Sequence, residues 1–375
     1  MIVIADDLTG AAEIGGIALR FNLTVEIVKT LNVESEADVQ IINTNARSLN
    51  KEEALRKINA VYTEVEKLRR QEESFKSAFI YIKTDSVLRG YIADELHFAL
   101  QSLQYKKVLL VPANPSLDRK VIDGRYYIGE TLLHETDFAN DPEFPAKSSK
   151  VTELVEGSKS QELATNGLDK AEGILIGNAT SEDDLSSWAA HHQEEILFAG
   201  GAAFFKSLLE KRYVQFTKDC REHIEMHYPV LYVCGSAFGK SAEWISKKQA
   251  EGYPTFYLTA DNRSEAANKL IEILKDRARV IFAVSKTISL NPEEIRKAMA
   301  KIVNGVVKEM DSLEEIIIEG GATAALILDE LAINSLAPVQ EISPGVIRCI
   351  TYQHNKKMIT LKPGSYSWPL DLWKF

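Results

Sequence analysis

The sequence predicts an α/β protein of two domains, each with a largely parallel sheet flanked by helices, and an active site in the interdomain cleft. Short apolar runs of strand length alternate with amphipathic stretches of helix length along most of the chain. The alternation starts afresh near YPVLYVCGSAFGKS, where a second block begins. The length of 375 residues fits two to three domains of roughly 150 residues each. The predicted domains are residues 1–215 and 225–375, joined by a charged linker near residues 210–228.

The first domain contains apolar runs of the kind that form buried strands in parallel sheets. In chain order they are IVIA, VEIV, VQIIN, AFIYIKTDS, KVLLVPANP, GILIGNA and EILFAGG. The stretch KEEALRKINAVYTEVEKLRRQEESF predicts a long helix with a charged, solvated face, and AAFFKSLLEKR predicts a helix after the last strand. Residues 136–150 are rich in Pro, Asp and Ser, so they predict a loop.

The second domain repeats this plan. Its predicted strands are PVLYVC, TFYLT, RVIFAVS and EEIIIEGG, and its predicted helices include SEAANKLIEILKDR and PEEIRKAMAKIVNGVVKEM. Because strands and helices alternate here too, a second, largely parallel sheet is expected.

Composition argues against several classes of partner. The net charge of −10, from 44 basic and 54 acidic residues, argues against a nucleic-acid-binding surface. Asp6 and Asp7 interrupt the first apolar run, so no signal peptide is predicted. No apolar stretch approaches the ~20 residues of a membrane span. Only three cysteines occur, far apart, so a reduced, cytoplasmic setting is expected.

Polar side chains follow four predicted strands of the first domain. Ligands of open parallel sheets bind beyond the carboxyl ends of the strands, so these positions are candidates for a site. They are Asp6, Asp7, Asn43, Asn45, Arg47, Lys83, Asp85, Ser86, Arg89, Asn114 and Arg119. Arginines grip a carboxylate with two parallel hydrogen bonds, and aspartates accept hydrogen bonds from hydroxyls. The set therefore predicts a site for a small, hydroxyl-rich anion.

Several of these residues also have a structural interpretation. Asp7 or Thr9 could cap the following helix. Lys83 and Asp85 could form a solvated ion pair, and Arg89 could lie at a helix end. Their joint position at four strand ends favours function. The two adjacent aspartates repel each other, and we expect Arg89 or Lys83 to face them and offset that cost.

The second domain carries glycine turns after its strands. In VCGSAFGKS, Gly235 and Gly239 enclose three residues, one fewer than the phosphate-binding P-loop requires, so no P-loop is predicted. A strand–Gly-Ser–helix turn can still bind phosphate at the helix N-terminus. Similar turns occur in IIIEGGATAALIL, EISPGVIR and ITLKPGSYSWP. Together they predict a nucleotide site, and the alternative for each turn is a tight connection without a ligand.

The motifs ADDLTGA, KTDSVLRG, EGGATAA, ISPGV and LKPGSY, in this order, resemble those of the four-carbon acid sugar kinases. The resemblance covers nearly the whole chain. It implies an N-terminal substrate-binding domain and a C-terminal nucleotide-binding domain, both α/β. It also implies that ATP phosphorylates a hydroxyl of threonate, erythronate or a 3-oxo-tetronate. Mg²⁺ is then expected, because it bridges nucleotide phosphates and needs few protein ligands.

The resemblance also assigns roles to individual residues. Asp7 is the candidate catalytic base. The acid-sugar pocket is assigned to Asp6, Arg47, Lys83, Asp85, Arg89 and Arg119. Within it, the chemistry of phosphoryl transfer leaves open whether Asp6 braces the turn or holds Mg²⁺ through water. The ATP site is assigned to Ser236, Gly320, Gly321, Thr323, Gly345 and Gly364. No protein metal site is predicted.

The chain also departs from the family pattern. Ala322 stands where an acidic residue is common, and Asn43 and Asn45 replace carboxylates. The runner-up interpretation is therefore a non-catalytic, two-lobed protein that binds an acid sugar or acts as a regulator, with a degenerate nucleotide site. A dehydrogenase is not predicted, because no strand is followed by G-x-G-x-x-G. The sequence leaves a homo-oligomer, the tetronate isomer and the accepting hydroxyl open.

Overall fold

The computed structural model describes residues 1–141, 143–155, 161–163, 171–191, 195–213, 225–236, 239–285, 288, 290–354, 356–364, 366 and 368. The chain folds into two compact units, the first comprising Met1–Leu23 and Lys29–Thr217 and the second Thr24–Val28 and Lys218–Phe375. Of the predicted linker, positions 214–224 lie outside the described residues. Within the described part of the chain, no helix is both long and apolar enough to cross a bilayer.

Strands and helices alternate in both units, which confirms the α/β class. The strands are β1 (Ile2–Ala5), β2 (Val25–Val28), β3 (Val39–Asn43), β4 (Ile80–Lys83), β5 (Lys107–Val111), β6 (Arg119–Ile122), β7 (Arg125–Ile128), β8 (Thr131–Leu132), β9 (Gln161–Leu163), β10 (Gly173–Gly177), β11 (Ile196–Gly200), β12 (Val230–Cys234), β13 (Thr255–Leu258), β14 (Arg279–Val284), β15 (Glu315–Glu319), β16 (Ser335–Ser343), β17 (Val346–Ile350) and β18 (Met358–Lys362). The helices are α1 (Leu8–Arg20), α2 (Lys51–Gln71), α3 (Glu73–Lys76), α4 (Ile92–Leu103), α5 (Val151–Leu154), α6 (Glu182–Ala189), α7 (Ala202–Arg212), α8 (Gly239–Ala250), α9 (Ala266–Arg277), α10 (Pro292–Glu309) and α11 (Gly321–Glu330).

The sheet of the first unit is parallel throughout its described pairings, in the order β3-β1-β4-β11-β5-β10-β9. In its register, Ala5 pairs with both Asn43 and Lys83, so the carboxyl ends of β1, β3 and β4 are level. Their apolar side chains are buried, as strands covered on both faces require. A separate antiparallel sheet, β6-β7-β8, follows β5 and begins at Arg119.

The sheet of the second unit has the order β13-β14-β12-β15-β18-β17-β16-β2. Its first five strands are parallel, and β17, β16 and β2 add antiparallel pairings. Glu319 pairs with both Cys234 and Lys362, so the carboxyl ends of β12, β15 and β18 are level. The glycine turns follow these ends.

The long helix α2 shows how local chemistry fixes an element. Its N-cap Asn50 accepts a hydrogen bond from the Glu53 backbone N–H. The buried side chains recur every three or four residues and form one stripe: Ala54, Ile58, Tyr62, Val65 and Leu68. The charged residues on the other face remain in solvent, as predicted. The predicted loop over 136–150 contains one short 3₁₀ turn, Asp137–Asn140, with position 142 outside the described residues.

Candidate active site

The level strand ends of the first unit bring predicted site residues together. Asp6 and Asp7 follow β1, Arg47 lies in a 3₁₀ turn after β3, and Asp85 follows β4. The Arg47 backbone N–H also donates to the Asp6 carbonyl oxygen at 3.3 Å, which joins the two turns. These short connections hold the side chains at the edge of the sheet where ligands bind.

Arg47 is the common partner of three carboxylates. Its Nε and Nη2 donate to the two oxygens of Asp6 at 2.8 and 2.6 Å. Nη2 also donates to Asp7 Oδ1 at 3.0 Å, and Nη1 to Asp85 Oδ1 at 3.2 Å. Burial alone would lower the pKa of Arg47, but the three carboxylates raise it well above its usual value. The guanidinium is therefore permanently charged. Arg47, rather than Arg89 or Lys83, makes the direct contacts with the two adjacent aspartates, while the charge of Lys83 also helps to lower the pKa of Asp7.

The three aspartates differ in their electrostatics. Burial raises the pKa of Asp6 against the pull of Arg47, with the charges of Asp7 and Asp85 adding to the rise. For Asp7, burial is outweighed by Arg47, Lys83 and a hydrogen bond from a threonine, so its pKa is lowered. The pKa of Asp85 is also lowered, because its arginines outweigh burial. The side chain of Asp7 is 17% exposed, against 6% and 9% for Asp6 and Asp85, so Asp7 is the most accessible ionised carboxylate of the three.

Asp7 is also the N-cap of α1, so the structural interpretation holds for this residue. Its Oδ1 accepts the Gly10 backbone N–H at 3.1 Å, and Thr9 Oγ1 donates to Oδ2 at 2.5 Å. A Cβ on Gly10 would lie 2.5 Å from Asp7 Oδ1 and 3.1 Å from Lys83 Nζ, so glycine is needed there. Capping fixes the carboxylate in one orientation, which is compatible with a chemical role.

Lys83 is buried at the end of β4 rather than solvated. It is 4% exposed and Asp85 is 7% exposed, so a solvated ion pair between them is wrong. Lys83 Nζ donates to the Thr84 carbonyl oxygen at 3.1 Å and lies 3.8 Å from Glu13 Oε2. Its charge helps to lower the pKa of both Asp7 and Asp85. Lys83 therefore supplies positive potential next to the aspartates.

Arg89 and Arg119 share an aromatic neighbour. Arg89 forms a fork with Asp85, from Nε at 3.0 Å and Nη2 at 2.9 Å, and its Nη1 donates to Asp141 at 3.3 Å. Arg119 Nη1 donates to the hydroxyl of Ser86. The guanidinium carbons lie 5.8 and 5.9 Å from the ring centre of Phe138. With a side chain 32% exposed, Arg89 is the more open of the site's ion-paired arginines, Arg47 being 13% exposed.

The asparagine side chains of the predicted set make contacts with residues close to them in sequence. Asn43 Oδ1 accepts the Asn45 backbone N–H at 3.1 Å, and Asn45 has a positive φ of 49°. Asn114 Oδ1 accepts from Ser116 Oγ at 2.7 Å. These side chains shape the turns that present the charged residues.

The glycine turns of the second unit meet at the carboxyl edge of its sheet. The Gly235 backbone N–H donates to the Glu319 carbonyl oxygen at 3.0 Å, and the Gly320 N–H to the Lys362 carbonyl oxygen at 2.9 Å. A Cβ on Gly235 would overlap the side chain of Thr323, which is 1% exposed. Ser236 and Gly320 therefore lie in adjoining turns, with Gly321 and Thr323 in the first turn of α11. Positions 237 and 238 lie outside the described residues.

The two later turns belong to the same region of the second unit. Gly345 has a positive φ of 75°, and a Cβ there would overlap the ring of Tyr366. Gly364 lies in the turn after β18, where the Tyr366 backbone N–H donates to the Pro363 carbonyl oxygen at 3.2 Å. Among the described residues, no group of three or more His, Cys, Asp or Glu side chains is arranged to hold a metal ion.

Comparison with known proteins decides the family. Residues 1–208 match the model of a sugar-binding N-terminal domain, and residues 228–366 match that of a nucleotide-binding C-terminal domain. The D-threonate kinase of Salmonella typhimurium is 29% identical over 63% of this chain and 57% of its own length. The chain belongs to the four-carbon acid sugar kinase family.

Several other proteins similar to this chain align with it over most of their length. The 3-oxo-tetronate kinase of Burkholderia multivorans is 21% identical over 97% of this chain and 93% of its own. A crystal structure from Salmonella typhimurium LT2 superposes with a TM-score of 0.80 at 18% identity, covering 98% of this chain and 96% of that one. A Haemophilus influenzae protein gives 0.75 at 17% identity, covering 99% and 98%. These similarities to solved structures confirm the two-domain α/β fold.

Sequence reasoning missed a buried glutamate in this acid sugar kinase family member. Glu95 on α4 is 3% exposed and accepts a hydrogen bond from the Tyr62 hydroxyl at 3.2 Å. Burial, followed by the charge of Asp6, raises the pKa of Glu95 from 4.5 to about 8. The helical periodicity of the apolar residues could have identified it, because Glu95 lies on the buried stripe of α4 with Ile92 and Ala99. Phe138 and Asp141 were also missed, since their loop carries no such pattern.

The raised pKa of Glu95 predicts that the contribution of this residue to stability falls as pH rises. The folded state holds a proton that the unfolded state releases between pH 4.5 and about 8, so stability is lost as pH rises through that window. Glu95→Gln keeps an acceptor for Tyr62 and cannot ionise. We expect the variant to match wild type near pH 4.5 and to be more stable by roughly 2–5 kcal/mol near pH 9.

Urea unfolding at several pH values measures this difference. Glu64→Gln, an exposed position on α2, serves as the control and should track wild type throughout. If the Glu95→Gln and wild-type free energies of unfolding run parallel from pH 4.5 to 9, Glu95 does not carry a proton in the fold.

Proposed function

We propose that the chain is an ATP-dependent kinase that phosphorylates a hydroxyl of a four-carbon acid sugar of the threonate, erythronate or 3-oxo-tetronate type. The observation that carries the proposal is the edge of the first unit, where an accessible ionised carboxylate, Asp7, lies in a cluster of buried cations. The names of the D-threonate and 3-oxo-tetronate kinases to which this chain is similar support the substrate class.

Asp7 is assigned to the substrate hydroxyl. In phosphoryl transfer the protein has to orient the accepting hydroxyl and to accept its proton, and it contributes little covalent chemistry of its own. The Gly10 N–H, Thr9 and Arg47 hold the carboxylate in place, so ordering it costs nothing further when substrate binds. Its lowered pKa keeps it ionised at neutral pH. It takes the proton of the substrate hydroxyl as that oxygen bonds to the γ-phosphorus of ATP and the bond from the γ-phosphorus to ADP breaks, so that ADP leaves.

The substrate carboxylate is assigned to Arg89 and Arg119. Arg47 and Arg89 each have a carboxylate partner on every guanidinium nitrogen, but the side chain of Arg89 is 32% exposed against 13% for Arg47, so Arg89 is the more open of the two to an incoming anion. Arg119 contacts a hydroxyl and no described carboxylate, and Arg89 is one-third exposed. The guanidinium group of an arginine can donate two parallel hydrogen bonds to a planar carboxylate, and a neutral polyol cannot accept such a pair.

Replacing Arg89 tests this assignment. Arg89→Ala should raise KM for the acid by roughly tenfold or more and leave KM for ATP near its wild-type value, because the lost contact belongs to ground-state binding of the acid. Arg56→Ala on α2, whose side chain is 70% exposed, is the surface control. An unchanged KM for the acid would move Arg89 out of the pocket.

ATP is assigned to the glycine turns of the second unit, lined by Ser236, Gly320, Gly321, Thr323, Gly345 and Gly364. Support comes from the start of α11 at Gly321, because a helix N-terminus after a glycine turn offers free N–H groups to phosphate. Mg²⁺ would arrive on the nucleotide phosphates. Both oxygens of Asp6 are held by Arg47, which fits a bracing role for Asp6 better than a metal role. The cleft between the domains stays a prediction, as does a homo-oligomer.

A coupled ADP-release assay over the isomers of threonate, erythronate and 3-oxo-tetronate tests the proposal. We expect ADP release that depends on one or more of these acids. A non-catalytic acid-sugar sensor would release no ADP with any acid. In that case calorimetry would measure whether the chain binds ATP–Mg²⁺. Binding would indicate an enzyme whose acid was absent from the panel, and no binding would indicate a sensor that does not use a nucleotide.

A further inference from the structure

A fully buried carboxylate lies among the glycine turns of the second unit. Glu319 is the last residue of β15, directly before Gly320, and is 0% exposed. Lys362 Nζ at the end of β18 lies 3.0 Å from its Oε1, and Trp368 Nε1 donates to Oε2 at 3.1 Å. The hydroxyls of Tyr232 on β12 and Ser241 on α8 donate to the same carboxylate. Four segments of the unit therefore meet at one side chain.

Glu319 is linked to a predicted nucleotide-site residue through a hydroxyl. Ser241 Oγ, which donates to Glu319, lies 3.0 Å from Ser236 Oγ. The Glu319 carbonyl oxygen also accepts the Gly235 N–H, and Lys362 Nζ donates to the Pro363 carbonyl oxygen at 3.1 Å. The contacts of this one residue and its lysine partner thus reach three of the glycine turns.

Stability alone does not account for such a cluster. A buried ion pair gains little over well-packed apolar residues, because both charges must lose their water. The opposite end of the same strand offers a comparison, since Glu315 is also 0% exposed and pairs with Arg348 at 3.1 Å. Glu315 lies at the amino end of β15, away from the glycine turns, whereas Glu319 lies at the carboxyl end, where ligands of parallel sheets bind.

We propose that Glu319, with Lys362 and Ser241, is a positioning residue that holds the Gly235–Ser236, Gly320–Gly321 and Pro363–Gly364 turns in the arrangement that receives the ATP phosphates. The carboxylate does not touch the nucleotide. It acts through Ser241 and through the strand ends that carry the turns. The inference rests on the proposed nucleotide site of the second unit and names the residues that organise it.

Glu319→Gln tests the inference against Glu315→Gln. Both variants remove one carboxylate charge from a buried ion pair on the same strand, so both should lower the thermal midpoint. Only Glu319→Gln should raise the Kd for ATP–Mg²⁺, by about tenfold or more, because small displacements of positioned groups have large effects. KM for the acid should stay within about twofold of wild type in both variants.

A double variant separates positioning from fold stability. Glu319→Gln with Lys362→Met leaves no uncompensated buried charge and should recover the thermal midpoint without recovering ATP affinity. Ser241→Ala, which removes a single hydroxyl, should raise the Kd for ATP–Mg²⁺ while the protein stays folded.

Three results overturn the inference. The first is a Kd for ATP–Mg²⁺ equal to that of wild type in folded Glu319→Gln or Ser241→Ala. The second is a loss of ATP affinity in Glu315→Gln as large as that in Glu319→Gln. The third is recovery of both ATP affinity and the thermal midpoint in the double variant. Wild type is titrated with ATP–Mg²⁺ alongside. If wild type itself binds no nucleotide, the proposed function fails and the inference fails with it. If wild type and every variant bind ATP–Mg²⁺ with the same affinity, the inference alone is overturned.

Discussion

Replacing Asp7 by Asn is expected to lower kcat by about a hundredfold or more, the scale typical of losing a general base. Asparagine occupies the same volume but cannot take the proton of the substrate hydroxyl. KM for the acid should change little, because the arginines assigned to its carboxylate remain. The measurement is ADP release at saturating ATP–Mg²⁺ and acid.

The capping role of Asp7 provides the control. Asparagine and serine are both good N-cap residues, Arg47 keeps its pairs with Asp6 and Asp85, and repulsion between Asp6 and Asp7 is removed, so Asp7→Asn and Asp7→Ser should each keep α1 capped and the thermal midpoint near wild type. Loss of turnover in both folded variants would assign the effect to chemistry. Wild-type turnover in either of them would remove Asp7 from the reaction.

Removing Arg47 is expected to have the largest effect on stability. Arg47→Met would leave the buried carboxylates of Asp6 and Asp85 and the partly exposed carboxylate of Asp7 without the guanidinium that bridges them, and breaking a buried pair typically costs about 3–5 kcal/mol. The free energy of unfolding in urea measures the loss. It should shrink between pH 7 and pH 4, because the carboxylates of the variant take up protons and their repulsion falls.

Arg70→Ala is the matched control for Arg47. Arg70 pairs with Glu66 at 2.7 Å on the surface of α2, and a pair of this kind contributes about 1 kcal/mol or less. A loss no larger in Arg47→Met than in Arg70→Ala would show that the aspartates do not depend on Arg47. A loss that is independent of pH would contradict the electrostatic explanation.

The joint position of the site residues could be predicted because it depends on strand ends alone. Because the parallel strands are in register, Asp6, Asp7, Arg47 and Asp85 lie at the same edge of the sheet, whichever contacts their side chains make. Which cation faces the aspartates could not be predicted in the same way. That choice depends on the turn after β3, which directs Arg47 inward, while Lys83 is buried next to Glu13.

Residues whose partners are distant in sequence were missed for the same reason. The run EEIIIEGG predicts a strand with acidic ends, but the lysine and arginine that neutralise Glu319 and Glu315 come from β18 and β17. Only the strand order of the second unit brings them together. Assignment of β2 to the second unit likewise follows from its pairing with β16, which its own four residues do not encode.

The central claim is that ATP phosphorylates a hydroxyl of a carboxylate-bearing sugar in this chain. Phosphorus NMR of the chain with ATP–Mg²⁺ and each tetronate tests it most directly. We expect a new phosphomonoester resonance that grows in step with ADP for one or more acids and is absent with threitol or erythritol, which lack the carboxylate. ADP accompanied only by inorganic phosphate, or a phosphomonoester formed equally fast on the neutral polyols, would contradict the account.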